Sequence, residues 1–362
     1  MNPEPIRLGI AGTGIIASFL APEFAALPGV TVAACMNPDR QLGGAFAAKH
    51  GIGRSVERLD DLLPLVDAVY VASPDRFHHA QTLAALAAGK HVLCEKPVAS
   101  SLAEAREMAT SAAVAAVRGI VTAVDFAHHR KPALERAAAL VAEGAIGAVR
   151  HISCHYLQTW QTSPIWGNWW DPAWVWRLDP VATSGTLTDL GSHAIDTVFT
   201  TAGAIRRVQC ATGTWPKRRD GVDLMQLDGR RLDANDSAVI TLEMASGALG
   251  SVQLSRRATG RADSLGIELF GTDGAISLDL ERSPHRLSIC TGDGAASTAW
   301  YERDCPAVLS IAARFIAAVR ARKAIQPDLI RGAEVQAVLE TCLRATTSGR
   351  WEDVAGVGVE SA

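Results

Sequence analysis

Through the first third of the chain, apolar positions fall into short runs: Ile6 to Ala11, Val30 to Cys35, Ala68 to Ala72, His91 to Cys94 and Ile120 to Val124. Ala-rich amphipathic stretches separate them. Short apolar runs suit buried strands, and their alternation with helix-like segments predicts βαβ units and a parallel sheet to about residue 124. Beyond that point the pattern changes. Segments 149 to 160, 205 to 215, 236 to 245, 248 to 257, 264 to 270 and 275 to 280 follow one another. Ser246-Gly247 and Gly271-Thr272-Asp273-Gly274 mark turns between the later ones, which predicts a mainly antiparallel sheet. Pro306 suits the first turn of a helix over Ala307 to Ala321, and a second late helix is expected over Ala333 to Ala345.

The run Ile6 to Ala11 leads into Gly12-Thr13-Gly14-Ile15-Ile16-Ala17 and then a helix-like stretch ending before Pro28-Gly29. In this G-x-G-x-x-A turn Gly12 permits the tight turn, Gly14 lets backbone approach a diphosphate, and Ala17 lets the helix pack on the sheet. The helix N-terminus faces the phosphate charge. Such a turn alone also fits an ordinary strand-helix corner; the strand before it and the helix after it favour the dinucleotide. Farther on, Glu95-Lys96-Pro97 follows the run Lys90 to Cys94. A residue before proline is held extended, which keeps Lys96 at the carboxyl end of a strand, where doubly wound sheets bind their ligands.

At 362 residues the chain is long enough for two domains, read as 1–124 for the dinucleotide and 125–362 for substrate binding and oligomerisation, with a late helix packing back on one of the two. A net charge of −3 offers no electrostatic basis for binding nucleic acid or an anionic membrane. Lys217-Arg218-Arg219 and Arg256-Arg257 read as solvated loop or strand-edge charges. The amino terminus lacks a basic segment followed by an apolar stretch, and no run approaches the ~18 apolar residues of a membrane span, so a cytoplasmic protein is expected. Seven scattered cysteines, none in a C-x-x-C spacing, fit reduced, packed thiols.

Four stretches carry a family resemblance: the Gly12 turn, Ala72-Ser73-Pro74-Asp75-Arg76-Phe77-His78, Ala88 to Pro97, and Gly185-Thr186-Leu187-Thr188-Asp189-Leu190-Gly191-Ser192-His193. The likeness also runs through Gly144 to Tyr156 and Trp176-Arg177-Leu178-Asp179. The chain resembles the glucose-fructose oxidoreductase / inositol dehydrogenase / rhizopine catabolism (Gfo/Idh/MocA) family of NAD(P)-dependent oxidoreductases. The resemblance implies an α/β fold: an N-terminal Rossmann doubly wound parallel sheet, then a C-terminal α+β domain with an open, mainly antiparallel sheet. It implies a dehydrogenase that removes hydride from a secondary alcohol or hemiacetal of a monosaccharide, anhydrosugar or inositol. It also implies a homo-oligomer, a dimer or tetramer.

By resemblance, Lys96 is the general base and substrate anchor, with His193 and Asp189 as its catalytic partners. A lysine removes a proton near neutral pH only if its pKa falls well below ~10.4, and partial burial beside a cationic nicotinamide pushes that way. The plainer reading pairs Lys96 with a surface carboxylate. Asp189 and His193 are spaced i, i+4, so a helix there puts both on one face; alone, they would also fit a helix-dipole carboxylate and a core histidine. The same resemblance places Gly12, Gly14, Ile15, Ile16, Cys35, Met36, Arg40, Ser73, Pro74, His78, Glu95, Lys96 and Arg177 around the cofactor. Around the substrate it places Lys96, His128, Gln158, Trp176, Asp189 and His193. Arg177 equally fits a structural pair with Asp179 or Asp189.

Departures from the family pattern bear on specificity. The second strand ends Ala34-Cys35-Met36-Asn37, without the carboxylate that holds the ribose hydroxyls of NAD and without a basic residue for a 2′-phosphate. NAD is favoured, with NADP the alternative through Arg40. Asp75 replaces a usual asparagine, and Ala127-His128-His129-Arg130 stands where members often carry an arginine or tyrosine pair, which implies an uncommon sugar rather than plain glucose. Trp160, Trp166, Trp169, Trp170, Trp174 and Trp176 lie within seventeen residues; indoles suit sugar faces, and they equally suit an interface or a covered core. The histidines His78-His79, His128-His129, His151 and His155 have no ligand spacing for a metal, and none is expected. Two other functions stay open: a redox-assisted glycoside hydrolase that recycles a tightly held NAD, and a non-catalytic sugar- and nucleotide-binding regulator.

Overall fold

Ile6–Ala11 (β1), Val30–Met36 (β2), Ser55–Val56 (β3), Ala68–Val71 (β4), His91–Glu95 (β5) and Thr122–Asp125 (β6) form a sheet in the order β3-β2-β1-β4-β5-β6. Every pair is parallel. The order reverses between β1 and β4, the switch point of a doubly wound sheet. The computed structural model describes residues 5–180 and 185–359; residues 1–4, on which the reading of the amino terminus partly rests, lie outside the described residues. The chain divides into two units: the described parts of Met1–Ala127, Leu309–Ala337 and Gly356–Ala362, and His128–Val308 with Val338–Ala355.

In the first unit the crossovers are helices Ile15–Ala25 (α1), Arg40–His50 (α2), Leu59–Leu62 (α3), His78–Ala87 (α4) and Leu102–Ala116 (α5). Local chemistry fixes their starts. Asp39 Oδ1 accepts the N–H groups of Gln41 and Leu42 at the head of α2. Ser101 caps α5 through the Glu104 N–H while the Glu104 carboxylate reaches back to the Ser100 N–H, satisfying donors a helix end leaves open. Leu8, Ile10, Leu20, Phe24, Tyr70 and Leu93 make the core, closed by Ile311, Phe315 and Ile316 of the late helix Ile311–Ala321. That helix begins four residues later than Pro306 suggested, because Ser310 caps it by accepting the Ala313 N–H. The last helix, Leu329–Ser348, is longer than expected at both ends.

The second unit is built on Val149–Gln158 (β7), Ile205–Gly213 (β8), two small ribbons (Lys217–Arg219, β9, with Val222–Leu224, β10; Gln226–Leu227, β11, with Arg230–Arg231, β12), Ser237–Met244 (β13), Leu249–Ser255 (β14), Asp263–Gly271 (β15), Gly274–Asp279 (β16), Arg286–Thr291 (β17), Tyr301–Asp304 (β18) and Glu352–Asp353 (β19). Nine strands form one sheet, β18-β17-β16-β15-β7-β14-β13-β8-β19. Only β7 and β14 pair in parallel; the sheet is therefore mixed and mainly antiparallel. Neither β17 nor β18 is among the expected strands: β18 is polar throughout, while in β17 Leu287 and Ile289 alternate with Arg286 and Ser288 over a short stretch. Alternation sets the faces: Ala238, Ile240, Leu242 and Met244 of β13 are buried, while Val239 between them is exposed. Helices Pro132–Ala142 (α6), Pro172–Val175 (α7) and Thr186–Ala202 (α8) follow the same chain order, and α8 lies against β7, β13, β14 and β15.

In each of two charge clusters one residue departs from the solvated reading, while Arg218 is exposed as expected. Lys217 is fully buried and bonds Asp236 at 2.7 Å, and Arg256 has no exposed surface. Arg256 lies where inward-facing positions continue past β14, since Val252, Leu254 and Arg256 alternate onto one buried face, whereas Lys217 opens β9. The seven cysteines are buried free thiols.

Candidate active site

The glycine turn lies between β1 and α1. Gly12 adopts φ 97°, and a Cβ there would stand 2.5 Å from the Ser73 nitrogen, so only glycine lets the turn lie on the exit of β4. Gly14, by contrast, faces open space, with nothing within 4 Å of the point a Cβ would occupy. It precedes α1 without any side-chain cap, so the helix N–H groups are left for a ligand. Ile15 and Ile16 are exposed beside it. This is the cradle a dinucleotide diphosphate needs.

At the end of β2, Cys35 is wholly buried with its thiol on the Gly43 carbonyl, and Met36 is buried too. Asn37 donates to Thr13 Oγ1 at 2.5 Å, tying β2 to the glycine turn. Arg40 is exposed in the first turn of α2. Along β4 and β5, Ser73 donates to Gln81 and Pro74 is exposed. The His78 ring is buried between the Pro97 carbonyl, 2.8 Å from Nδ1, and the Ser73 carbonyl, 2.7 Å from Nε2. Burial holds its pKa down against those two carbonyls, so His78 staples the loop after β4 to the loop after β5. Lys96 is half-buried at the carboxyl end of β5, next to a cis Lys96–Pro97 peptide. Beneath it Glu95 is buried and accepts the Tyr70 hydroxyl at 2.5 Å.

In the second unit, α8 carries Asp189 and His193, and the expected helix is present. His193 packs edge-on against His128, ring centroids 4.7 Å apart, and both touch the Tyr156 ring. Tyr156 donates to Asp263 at 2.8 Å, and the Gln158 amide donates to the same oxygen at 2.7 Å. Burial and the Asp263 charge push the Tyr156 pKa well up, so it stays a phenol. His128, Gln158 and His193 are therefore brought together around a tyrosine. No motif in the sequence singles out Tyr156 or Asp263, although Tyr156 shares the period-two face of Gln158 on β7.

Asp189 is held by Arg256, whose Nη2 lies 2.7 Å from Oδ2. The same guanidinium donates to the carbonyls of Arg177 and Gly185 and lies 5.3 Å from the Trp160 ring. One carboxylate and two carbonyls take up the Nη groups of this buried cation, while its Nε has no partner among the described residues; the pairing fixes the carboxylate rotamer. Behind this pair, His129 bridges Glu135 at 2.7 Å and Asp196 at 2.8 Å. Burial opposes its charge, but the two carboxylates outweigh burial and raise its pKa to about 9. Arg177 stacks over Trp176 and Trp174 and donates to the Ala173 carbonyl.

The tryptophans largely pack on themselves. Trp160 and Trp169 are buried with Val175, Leu178 and Leu232, and Trp170 and Trp174 lie against that cluster. Their N–H groups serve backbone: Trp169 donates to Arg218, Trp174 to Trp166 and Trp176 to Ala173. Trp166 and Trp176 keep exposed faces.

A glycine turn on a parallel sheet of this order, ahead of a mixed sheet with α8 lying against it, defines a two-part fold whose first unit is of the dinucleotide-binding class. The chain belongs to the Gfo/Idh/MocA oxidoreductases: the model for that family's NAD-binding Rossmann fold matches residues 6–123, and the one for its C-terminal domain matches 134–277. It is 31% identical over 270 residues to levoglucosan dehydrogenase of Pseudarthrobacter phenanthrenivorans (71% of this chain, 66% of the relative). It is 37% identical over 196 residues to 1,5-anhydro-D-fructose reductase of Ensifer adhaerens (53% and 55%). The matches thus span between about half and two thirds of those relatives' lengths. A solved levoglucosan dehydrogenase in complex with NADH and levoglucosan superposes with TM-score 0.83 at 25% identity, over 97% of this chain and all of that one. Among the described residues no helix is long and apolar enough to cross a membrane.

Proposed function

We propose that this oxidoreductase is an NAD-dependent dehydrogenase acting on a secondary alcohol or hemiacetal carbon of an anhydrosugar, monosaccharide or inositol. The gathering of His128, Tyr156, His193 and the Arg256-clamped Asp189 on one side of α8 and β7 carries this reading. It supplies what a polyhydroxylated ring needs: aromatic edges for C–H faces, and fixed acceptors and donors for hydroxyls. The Gly12–Gly14 turn would hold NAD, which when bound would supply the hydride acceptor. Lys96 takes the hydroxyl proton as the C–H bond gives up hydride, leaving a carbonyl. His193, whose type titrates near neutrality, handles that proton with it, and Asp189 accepts from a neighbouring hydroxyl. Substrates of the named relatives, levoglucosan and anhydrofructose, make the anhydrosugars the first class to try.

The test is a screen of levoglucosan, other anhydrosugars, hexoses and inositols for NADH formation, with NADP in parallel. Lys96→Ala is expected to lower kcat ~10²- to 10⁴-fold, the usual worth of an acid-base residue, with NAD affinity nearly unchanged; a variant with near-normal turnover removes lysine from this role. Release of an aglycone without net NADH would move the assignment to redox-assisted glycoside cleavage.

A further inference from the structure

Next to Lys96 lies a group of side chains that hydride transfer does not itself use. Glu95 ends β5 and Asp125 ends β6, and the two are register partners on adjacent parallel strands. Both are buried, 8% and 2% exposed. From β4, Tyr70, with no exposed surface, donates its hydroxyl to Glu95 Oε1 at 2.5 Å, and the Lys96 backbone N–H reaches Oε2 at 3.3 Å. The charged or titratable groups facing Glu95 are thus Tyr70 from β4, Asp125 from β6, and its chain neighbours Cys94 and Lys96.

We propose that Glu95 and Asp125 hold a single proton between them at neutral pH, so that Lys96 works beside one negative charge instead of two. The pair is a positioning element for the base and rests on the reading of Lys96 given above. Two carboxylates at neighbouring, buried strand positions cannot both stay ionised, because each loses water and repels the other. Burial first, and then the Asp125 charge, push the Glu95 carboxyl well above the usual range, against the pull of the Tyr70 hydroxyl and Lys96. Burial and the same two carboxyls keep Tyr70 a phenol donor, and burial keeps the Cys94 thiol neutral. The proton is therefore stored on the carboxyl pair. A second full negative charge would hold the Lys96 ammonium and suppress the free amine the reaction needs.

Two readouts test this on the full chain. Infrared spectra at neutral pH should show a protonated-carboxyl band that vanishes in Asp125→Asn, where Glu95 no longer has a charged neighbour and ionises. Tyr70→Phe should keep the band but move its position; it also serves if Asp125→Asn does not fold. Absence of a band lost in Asp125→Asn, or a band unmoved by Tyr70→Phe, overturns the proposal. In the pH profile of kcat/KM, Asp125→Asn should leave the acid limb near its wild-type position, since the net charge of the pair stays at one. Glu95→Gln/Asp125→Asn should move that limb down by about one pH unit or more. If the single variant moves it about half as far as the double, both carboxylates were ionised in the wild type and the idea fails. An error in the Lys96 assignment shows differently, as turnover kept by Lys96→Ala with the infrared result unchanged.

Discussion

Arg256 and His129 show how single buried charges hold this site. Arg256→Ala removes the donor that Asp189 shares with the carbonyls of Arg177 and Gly185. The expected loss is about 3 kcal/mol, toward the low end for a broken buried pair because 26% of the Asp189 side chain meets solvent. Urea unfolding measures it, and Arg256→Lys should recover only part, since an ammonium lacks the forked geometry. His129 makes a pH-dependent contribution. Its folded pKa, about 9, lies above the ordinary 6.5, so its stabilisation is complete below pH ~6.5 and is lost as pH rises through about 9. That loss is on the order of 3 kcal/mol. Melting temperatures taken across this window should fall in the wild type and stay flatter in His129→Gln; parallel curves would show that His129 is not charged in the folded protein.

At the scale of elements, the strand-turn-helix β1–α1 separates two glycine roles that one motif joins. Gly12→Ala forces a Cβ against the backbone of Ser73 at a φ that L-residues avoid. A stability loss of at least about 1–3 kcal/mol is expected before any cofactor is added. Gly14→Ala puts its methyl into open space and should hardly change the melting temperature of the free protein, while NAD binding weakens at least tenfold. Calorimetry with and without NAD reads both, and equal melting losses in the two variants would contradict this division. Lys217 and Arg256 make the corresponding point for strands. Their types suggested solvent, yet period-two continuation past β14 already pointed Arg256 inward, and its partner Asp189 lies far away in sequence. A strand pattern tells which way a residue faces; it does not tell what waits there.

For the whole molecule, the parallel sheet, the mainly antiparallel second sheet and the helix bearing Asp189 and His193 were legible from apolar runs, glycine turns and one i, i+4 spacing; the strand order and the parallel β7–β14 pair were not. The rest depends on distant partners. The tryptophans could be counted but not separated into self-packing and exposed faces, because that choice rests on Leu224, Leu227 and Leu232 from farther along the chain. Tyr156, Asp263 and the His129 bridge went unread because their meaning lies in pairs across strands and helices. Cofactor preference belongs to this scale as well. The carboxylate nearest the end of β2, Asp39, spends Oδ1 on capping α2 yet still places negative charge there, against a 2′-phosphate. NAD at a hundred times its Kd should add about 2.7 kcal/mol of stability, and NADP at the same concentration clearly less; the reverse order would make Arg40 the ribose-side determinant.

Helix α8 meets three separate charged or aromatic partners along one length: Asp189 with Arg256, His193 with His128, and Asp196 with His129. A change at any of the three disturbs the seating of the others, so this helix has little room to evolve. The exposed indoles Trp166 and Trp176 lie outside these three contacts, so their loop can change sequence while α8 keeps every partner.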